Sequence, residues 1–140
     1  MRYVTFIGLI LISLLTAGCA DASSASTDSY YDEVDEQTQA FYQENEVLYN
    51  DIQGIQEERY LLYVHSPDCK FCIQFAPEIQ AYQSSSDAYP IYKLHARIPE
   101  NEAAWEDFAI EGVPTVLLME GTEVVDRIVG YVPEGNLFRP

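Results

Sequence analysis

Cysteine, histidine and basic residues are all scarce in this chain of 140 residues. Three cysteines are too few for a small fold held together by disulfides, and two histidines limit any metal site to a sparse one. Seven Lys and Arg against 23 Asp and Glu leave a net charge of -16, which repels phosphate backbones and excludes nucleic acid as a partner. The length leaves room for one domain.

The first 18 residues have the pattern of a signal peptide. Arg2 precedes an apolar run, Val4 to Leu15, that is too short to span a bilayer. The run ends in Leu-Thr-Ala-Gly-Cys, which resembles the lipobox of bacterial lipoproteins. That resemblance implies cleavage before Cys19 and attachment of lipid to its thiol; the alternative is an ordinary secretory signal that happens to contain a cysteine. Several acyl chains on one residue give stable anchoring.

Residues 19–33 contain mainly small and polar side chains and predict a flexible tether that follows the lipid anchor. Residues 34–140 predict the folded domain. Its elements follow the order α-β-α-β-α-β-β, with helices over about 32–51, 69–82 and 102–109 and strands over 59–64, 91–94, 115–119 and 123–129. This alternation, ending in a hairpin, predicts an α/β fold with a mixed sheet and helices on both faces.

Two cysteines, Cys69 and Cys72, lie where a predicted strand and turn run into a helix. The free N–H groups of the first helical turn and the adjacent Lys70 stabilise a thiolate at Cys69. Asp68 opposes this as a like charge, unless its carboxylate caps the helix. Cys72, one turn further on, is predicted to be the resolving thiol that releases a mixed disulfide formed at Cys69.

Two other readings of the C-x-x-C motif are weaker. A zinc site needs further ligands, and the chain offers neither a second C-x-x-C nor a close pair of histidines. A static disulfide across two residues closes so small a ring that it gains little loop entropy. The expectation is therefore a redox pair with no metal and no organic cofactor.

Several segments resemble the thioredoxin family. Residues 63–72 look like its strand and active-site turn, Pro77 matches its kinking proline, and residues 91–94 are similar to its central strand. The run Gly-Val-Pro-Thr at residues 112–115 resembles its strand entry, and residues 123–130 its closing strand. The match covers about residues 34–138 and implies a thioredoxin-like fold with a mixed four-stranded sheet.

The resemblance also implies site residues. Pro114 would follow a cis peptide bond and pack against the cysteines, so that Val113 presents its backbone to a substrate peptide as an added strand. The alternative for Pro114 is an ordinary trans proline before a strand. Phe71, between the cysteines, is predicted to pack in the core or to face the substrate.

The chain departs from the family at two positions near the cysteines. Tyr63 stands where the family has a buried aspartate, so deprotonation of Cys72 would rely on water, Lys93 or another carboxylate. His65 replaces an aromatic residue and is expected either to stabilise the Cys69 thiolate or to have no role. Lys93 matches the lysine of the family's central strand and is expected to be half-buried; the alternative is a solvated strand residue.

The segment after Gly130 is too short for the family's final helix, which predicts a shortened C-terminal helix. One face of the sheet would then be incompletely covered beside the active-site helix. We expect a partner or a second copy of the chain to cover it.

Together these features predict a thiol–disulfide oxidoreductase anchored on the extracytoplasmic face of the cell membrane, at a Gram-positive cell surface. Its predicted partners are exported proteins or peptides that contain thiols or disulfides, the membrane itself and a membrane redox partner. The redox reaction is predicted to favour the formation or the isomerisation of disulfides in these partners over their reduction. The run from Cys72 to Pro77 is similar to a run found in thioredoxin-like accessory proteins of bacteriocin export. The alternative is a binding or adaptor lipoprotein, for peptide export or copper delivery, without turnover.

Overall fold

The computed structural model describes residues 34–133 and 136–140. The predicted signal peptide, Cys19 and the tether lie outside these residues. The described chain contains three α-helices, α1 (Glu36–Gln43), α2 (Lys70–Gln83) and α3 (Glu102–Asp107), and four strands, β1 (Arg59–His65), β2 (Ile91–His95), β3 (Thr115–Glu120) and β4 (Glu123–Val129). Short 3₁₀ helices cover Tyr49–Gly54 and Pro99–Asn101.

The four strands form one mixed sheet in the order β2-β1-β3-β4. Strand β1 pairs in parallel with β2 and antiparallel with β3, and β3 pairs antiparallel with β4. Six of the seven residues of β1 are buried, as expected for a central strand covered on both faces. Gly121, at a φ of 59°, makes the turn of the β3–β4 hairpin in a conformation that favours glycine. The predicted mixed four-stranded α/β fold is confirmed.

Alternate side chains of β1 enter two separate cores. Leu61 and Tyr63 pack on one face with α1 and α2, and this core contains Phe41 and Phe75. On the other face, β1 packs with the first 3₁₀ helix and with α3. Helices therefore cover both faces, as predicted, and α2 lies on the same face as Tyr63.

The first predicted helix is too long. Asp35 caps α1 by accepting a hydrogen bond from the Thr38 N–H at 3.0 Å, but the helix ends at Gln43. Asn45 then adopts a φ of 55°, and the following residues pair with β2, since the Val47 N–H donates to the Lys93 carbonyl at 2.8 Å. The apolar spacing predicted one continuous helix, and pairing with the sheet edge overrides it.

The C-terminal residues take a form that the sequence did not predict. Residues 130–133 and 136–140 contain no α-helix, and they lie against the face that carries α2. Leu137 is buried in that core, and the Tyr82 hydroxyl donates to the Phe138 carbonyl at 2.6 Å. The chain's own end therefore covers part of the face for which a partner or a second copy of the chain was expected.

None of the helices within the described ranges is long and apolar enough to cross a membrane.

Candidate functional site

The two cysteines of the motif lie at the start of α2 with different exposure. Cys69 is the N-cap residue, half-buried, and its Sγ accepts a hydrogen bond from the Cys72 N–H at 3.2 Å. Cys72 lies one turn further on and is fully buried. A sulfur at this position faces the free N–H groups of the helix start, which stabilise a thiolate. The geometry therefore gives Cys69 the accessible position and Cys72 the protected one.

The loop before β3 approaches Cys69 from the opposite side. The Val113–Pro114 peptide bond is cis, as the family resemblance implies, and the Cys69 thiol lies 3.6 Å from the Val113 carbonyl. Pro114 is buried, whereas Val113 is half-buried. The Gly130 N–H donates to the Pro114 carbonyl at 2.8 Å, which ties this loop to the end of β4. The structure thus brings together four residues that the sequence predicted for the site, at the end of the sheet where β1 ends and β3 begins: Cys69, Cys72, Val113 and Pro114.

Tyr63 approaches Cys72 from β1. Its side chain is fully buried, and its hydroxyl donates to the Cys72 carbonyl at 3.3 Å. Burial, and then the hydrogen bond with Cys69, raise the pKa of the Cys72 thiol well above its ordinary value. Burial also holds the pKa of Tyr63 well above its usual range, so the phenol stays protonated. Tyr63 is therefore a donor at this position and no base.

His65 does not stabilise Cys69. Its ring stacks on Tyr42 at 4.3 Å with an interplanar angle of 8°, and neither ring nitrogen has a hydrogen-bond partner among the residues that the structure describes. Burial first, then the charges of His95 and Lys93, hold the pKa of His65 well below 6.5, so the ring is neutral at pH 7. The expectation of a hydrogen bond or a cationic partner for the thiolate is corrected, because His65 is wholly enclosed in the core.

Asp68 does not cap α2, which corrects a second expectation. Its carboxylate accepts a hydrogen bond from the Ser66 hydroxyl and forms an ion pair with Arg97 at 2.7 Å. The cap is Cys69 itself. Asp68 and Arg97 are both substantially exposed, so the pair is worth little to stability, yet it places a cation beside the carboxylate that adjoins Cys69.

Lys93 is fully buried, where half-burial was predicted. Its ammonium donates to the Glu44 carbonyl at 2.9 Å, lies 3.7 Å from the Glu44 carboxylate and sits 4.2 Å from the centre of the Phe41 ring. Burial lowers the pKa of Lys93 to about 8, which leaves it cationic at pH 7. At pH 7 most of Lys93 is therefore an ammonium that is held by Glu44, and only its minor neutral form could accept the proton of Cys72.

Phe71 and Lys70 both face away from the core. Phe71 is 57% exposed and Lys70 is exposed, so of the two expectations for Phe71 the structure favours the outward one. Ile73 and Tyr131, 47% and 39% exposed, are further large apolar side chains at the surface. Ile73 belongs to α2, and Tyr131 follows the Gly130 that is bonded to Pro114.

The two cysteine sulfurs are the main groups at this site that could bind a metal ion. Within residues 34–133 and 136–140, no group of three or more His, Cys, Asp or Glu side chains could hold a metal ion. A cleft of about 760 Å³ lies on the other side of the sheet, lined by residues that include Tyr49, Phe108 and Arg127. It contains neither cysteine nor the residues of the cis loop, so the chemistry of the thiols takes place outside it.

The sequence did not predict two residues that contact side chains near the cysteines: Tyr42, which stacks on His65, and Arg97, which pairs with Asp68. Tyr42 comes from α1 and stacks on His65, and nothing in the local sequence marks it. Arg97 was within reach of prediction. Strands β1 and β2 are parallel with His65 opposite His95, so the residues that follow them emerge at the same edge of the sheet. That register brings Arg97 toward Asp68.

Comparison with known proteins agrees with this geometry. Residues 49–139, well over half of the chain, match the family model of the thioredoxin-like domain. The chain is 35% identical over 72 residues to a thioredoxin of Streptomyces clavuligerus and 29% identical over 70 residues to one of Alicyclobacillus acidocaldarius. These matches cover 51% and 49% of this chain, and in both cases 65% of the relative's length.

Solved structures show the same fold. Malassezia sympodialis thioredoxin (Mala s 13) aligns at a TM-score of 0.55 with 16% identity, over 63% of this chain and 79% of its own. A mutant thioredoxin from Halobacterium salinarum aligns at 0.51 with 25% identity, over 61% and 73%. Spinach chloroplast thioredoxin f aligns at 0.50 with 21% identity, over 61% and 80%. With a redox-type cysteine pair beside a cis-proline loop, and a family model that matches most of the folded part, the chain belongs to the thioredoxin-like domain family.

Proposed function

We propose that this chain is a thiol–disulfide oxidoreductase, held by lipid on the extracytoplasmic face of the cell membrane, that acts on exported proteins or peptides. The observation that carries the proposal is the position of the Cys69 sulfur. It lies at the start of a helix, partly open to solvent and 3.6 Å from the Val113 carbonyl, with Cys72 buried one turn behind it. Two-step thiol–disulfide exchange requires an accessible sulfur that attacks the substrate first and a protected sulfur that attacks second.

The chemistry proceeds through a mixed disulfide. The Cys69 thiolate attacks one sulfur of a substrate disulfide, the substrate S–S bond breaks, and the displaced sulfur leaves as a thiolate that takes a proton from water. Cys72 then loses its proton and attacks Cys69 Sγ. The bond from Cys69 to the substrate breaks, so the substrate departs as a dithiol and the Cys69–Cys72 disulfide forms. Run in reverse, the same steps oxidise a substrate dithiol.

The surroundings of Cys69 suit a polypeptide substrate. Val113 is half-buried and keeps its backbone near the sulfur, where an extended peptide can pair with it. The exposed apolar side chains Phe71, Ile73 and Tyr131 add surface that an unfolded segment can cover. These contacts support a peptide or protein substrate over a small molecule enclosed in a pocket.

The location rests on the N-terminal sequence. The short apolar run and the Leu-Thr-Ala-Gly-Cys ending support cleavage before Cys19 and lipid on its thiol. Export supports redox work outside the cytoplasm, where thiols in client proteins are oxidised.

A trapping experiment tests the function. In Cys72→Ser, the second step is blocked, so we expect exported proteins to accumulate as mixed disulfides on Cys69, seen as adducts that dithiothreitol releases. Cys69→Ser in the same background is the matched control and forms none. The proposal fails if Cys72→Ser gives no adducts and the wild type neither oxidises nor reduces a test dithiol or disulfide. Binding of one copper ion through both thiols, without turnover, would favour an adaptor instead.

A further inference from the structure

The resolving thiol has an enclosed environment that is built mainly from other side chains of the same core. Cys72 is fully buried, and so are Tyr63 on β1 and Tyr42 on α1. The Tyr63 hydroxyl reaches the Cys72 carbonyl at 3.3 Å, and the Cys69 sulfur contacts the Cys72 N–H at 3.2 Å. Because the Cys72 side chain is fully buried, a thiolate formed there draws its stabilisation chiefly from these neighbours and not from bulk solvent.

We propose that the Tyr63 hydroxyl turns from the Cys72 carbonyl to the Cys72 sulfur during the resolving step and hydrogen-bonds the thiolate. Tyr63 is then a positioning residue for the exchange reaction. This inference rests on the proposed function, because it concerns the second step of that reaction.

The geometry allows the exchange of partners. A hydroxyl proton rotates about its C–O bond, and a bond of 3.3 Å to a carbonyl is long for an O–H donor, so little is lost when it turns away. A hydrogen bond to a charged acceptor is stronger than one to a neutral carbonyl. The thiolate therefore attracts the hydroxyl as the thiol proton leaves.

The acid–base properties of the neighbours agree with a donor role. Burial raises the pKa of the Cys72 thiol more than any other influence does, whereas hydrogen bonds from the Ser66 backbone and then from the Tyr63 hydroxyl lower it. Since the pKa of Tyr63 is itself raised well above its usual range by burial, the phenol keeps its proton throughout. The Cys72 proton passes instead to the departing substrate thiolate or to water.

The other titratable groups that pack around this position leave Tyr63 in that role. On α1, burial and then the Cys72 charge raise the pKa of Tyr42, so both phenols are protonated, and it is the Tyr63 hydroxyl that lies 3.3 Å from the Cys72 carbonyl. On β1, His65 is neutral at pH 7, as described above. On β2, the Lys93 ammonium is occupied by Glu44. At the start of α2, Cys69 is the electrophile of this step and cannot also stabilise the attacking sulfur.

Rapid mixing with 5,5′-dithiobis(2-nitrobenzoate) separates the two steps in one trace. In the full chain carrying Cys19→Ser, attack by Cys69 releases a first coloured thiolate and resolution by Cys72 releases a second. For Tyr63→Phe we expect the first phase to keep its rate and the second to slow by about 3- to 10-fold at pH 7. We also expect the pH profile of the second phase to shift upward.

Tyr60→Phe is the matched control. Tyr60 lies on the same strand, is equally buried and also loses a hydrogen bond, here to the Gly121 carbonyl at 2.7 Å on the other side of the sheet. Both phases should keep their rates in this variant. The inference is overturned if Tyr63→Phe leaves the second phase unchanged, or if Tyr60→Phe slows it equally.

Two further readouts keep the test decisive. If Tyr63→Phe does not fold, 3,5-difluorotyrosine at position 63 keeps the shape and strengthens the donor, so the second phase should quicken; no change in rate overturns the inference. If the wild type shows no second phase, the proposed function fails. If the wild type shows both phases and the Tyr63 variants keep the wild-type rate of the second phase, the inference alone fails.

Discussion

His65 illustrates, at the scale of single residues, how a titratable side chain beside an active site can serve the core alone. It lies flat against Tyr42 and 5.4 Å from the Tyr63 ring, in a space that excludes water. Its position four residues before Cys69 suggested a role with the thiolate, but the direction of a side chain depends on strand register, and register cannot be obtained from the residue type. Cys69 and Cys72 were predictable because spacing alone defines a C-x-x-C pair.

The buried neutral His65 predicts a dependence of stability on pH. Its pKa in the folded chain is lowered below the unfolded value of 6.5, so its contribution is complete above pH 6.5 and is lost as the pH falls. Replacing it by Phe keeps the stacked ring and removes the proton uptake on unfolding. Below about pH 6, the free energy of unfolding of the wild type should therefore fall by about 1.4 kcal/mol per pH unit more than that of His65→Phe.

Urea unfolding at pH 8 and pH 5 measures this difference directly. Equal losses in the two proteins would mean that His65 is protonated, and partnered, in the folded chain.

At the scale of elements, the strands were well predicted, whereas the first helix and the C-terminal segment were not. The apolar runs of β1 and β3 favour buried strands because they are short, contain β-branched or aromatic residues and are bounded by turn residues. The first helix was predicted too long, since its apolar spacing continues through Asn45 while the backbone leaves the helix there. The C-terminal segment contains Pro and Gly, which limited the predicted C-terminal helix to a short one but gave no sign that Leu137 would be buried.

The packing of the C-terminal segment can be tested by mutation. Leu137→Ala removes a side chain that is 5% exposed and that packs with α2, so it should lower the free energy of unfolding by about 2–5 kcal/mol. Ile73→Ala, on α2 itself but 47% exposed, should change it by less than about 0.5 kcal/mol. Chemical denaturation of both variants distinguishes them, and a small effect of Leu137→Ala would contradict the packing described here.

At the scale of the whole molecule, the negative charge is unevenly distributed along the chain. Residues 20–58 contain 11 acidic residues and no Lys or Arg, whereas residues 59–140 contain 12 acidic and 6 basic residues. The acidity is thus densest before β1 and falls in the part that carries the cysteines. A strongly acidic segment next to an anionic membrane is repelled from it, which would hold the domain away from the lipid surface.

The proposed anchor gives a prediction at this scale. The mature protein should begin at Cys19, carry lipid on that residue and sediment with membranes, because several acyl chains on one residue bind stably. In Cys19→Ala, the lipid has no attachment point. Mass spectrometry of the N-terminal peptide and fractionation of cells measure both properties, and an unmodified Cys19 in the membrane-free fraction would contradict the anchor.

The central claim is that Cys69 and Cys72 form a reversible redox pair, and its reduction potential is the most direct test. Equilibration of the chain in glutathione buffers, followed by trapping of free thiols, gives the value. The residues between the cysteines, Lys70 and Phe71, include no proline, and the helix start favours the thiolate of the reduced form. We therefore predict a potential more oxidising than the value of about -270 mV for thioredoxin. A pair that stays oxidised below about -300 mV would contradict the account, because it would behave as a static structural disulfide.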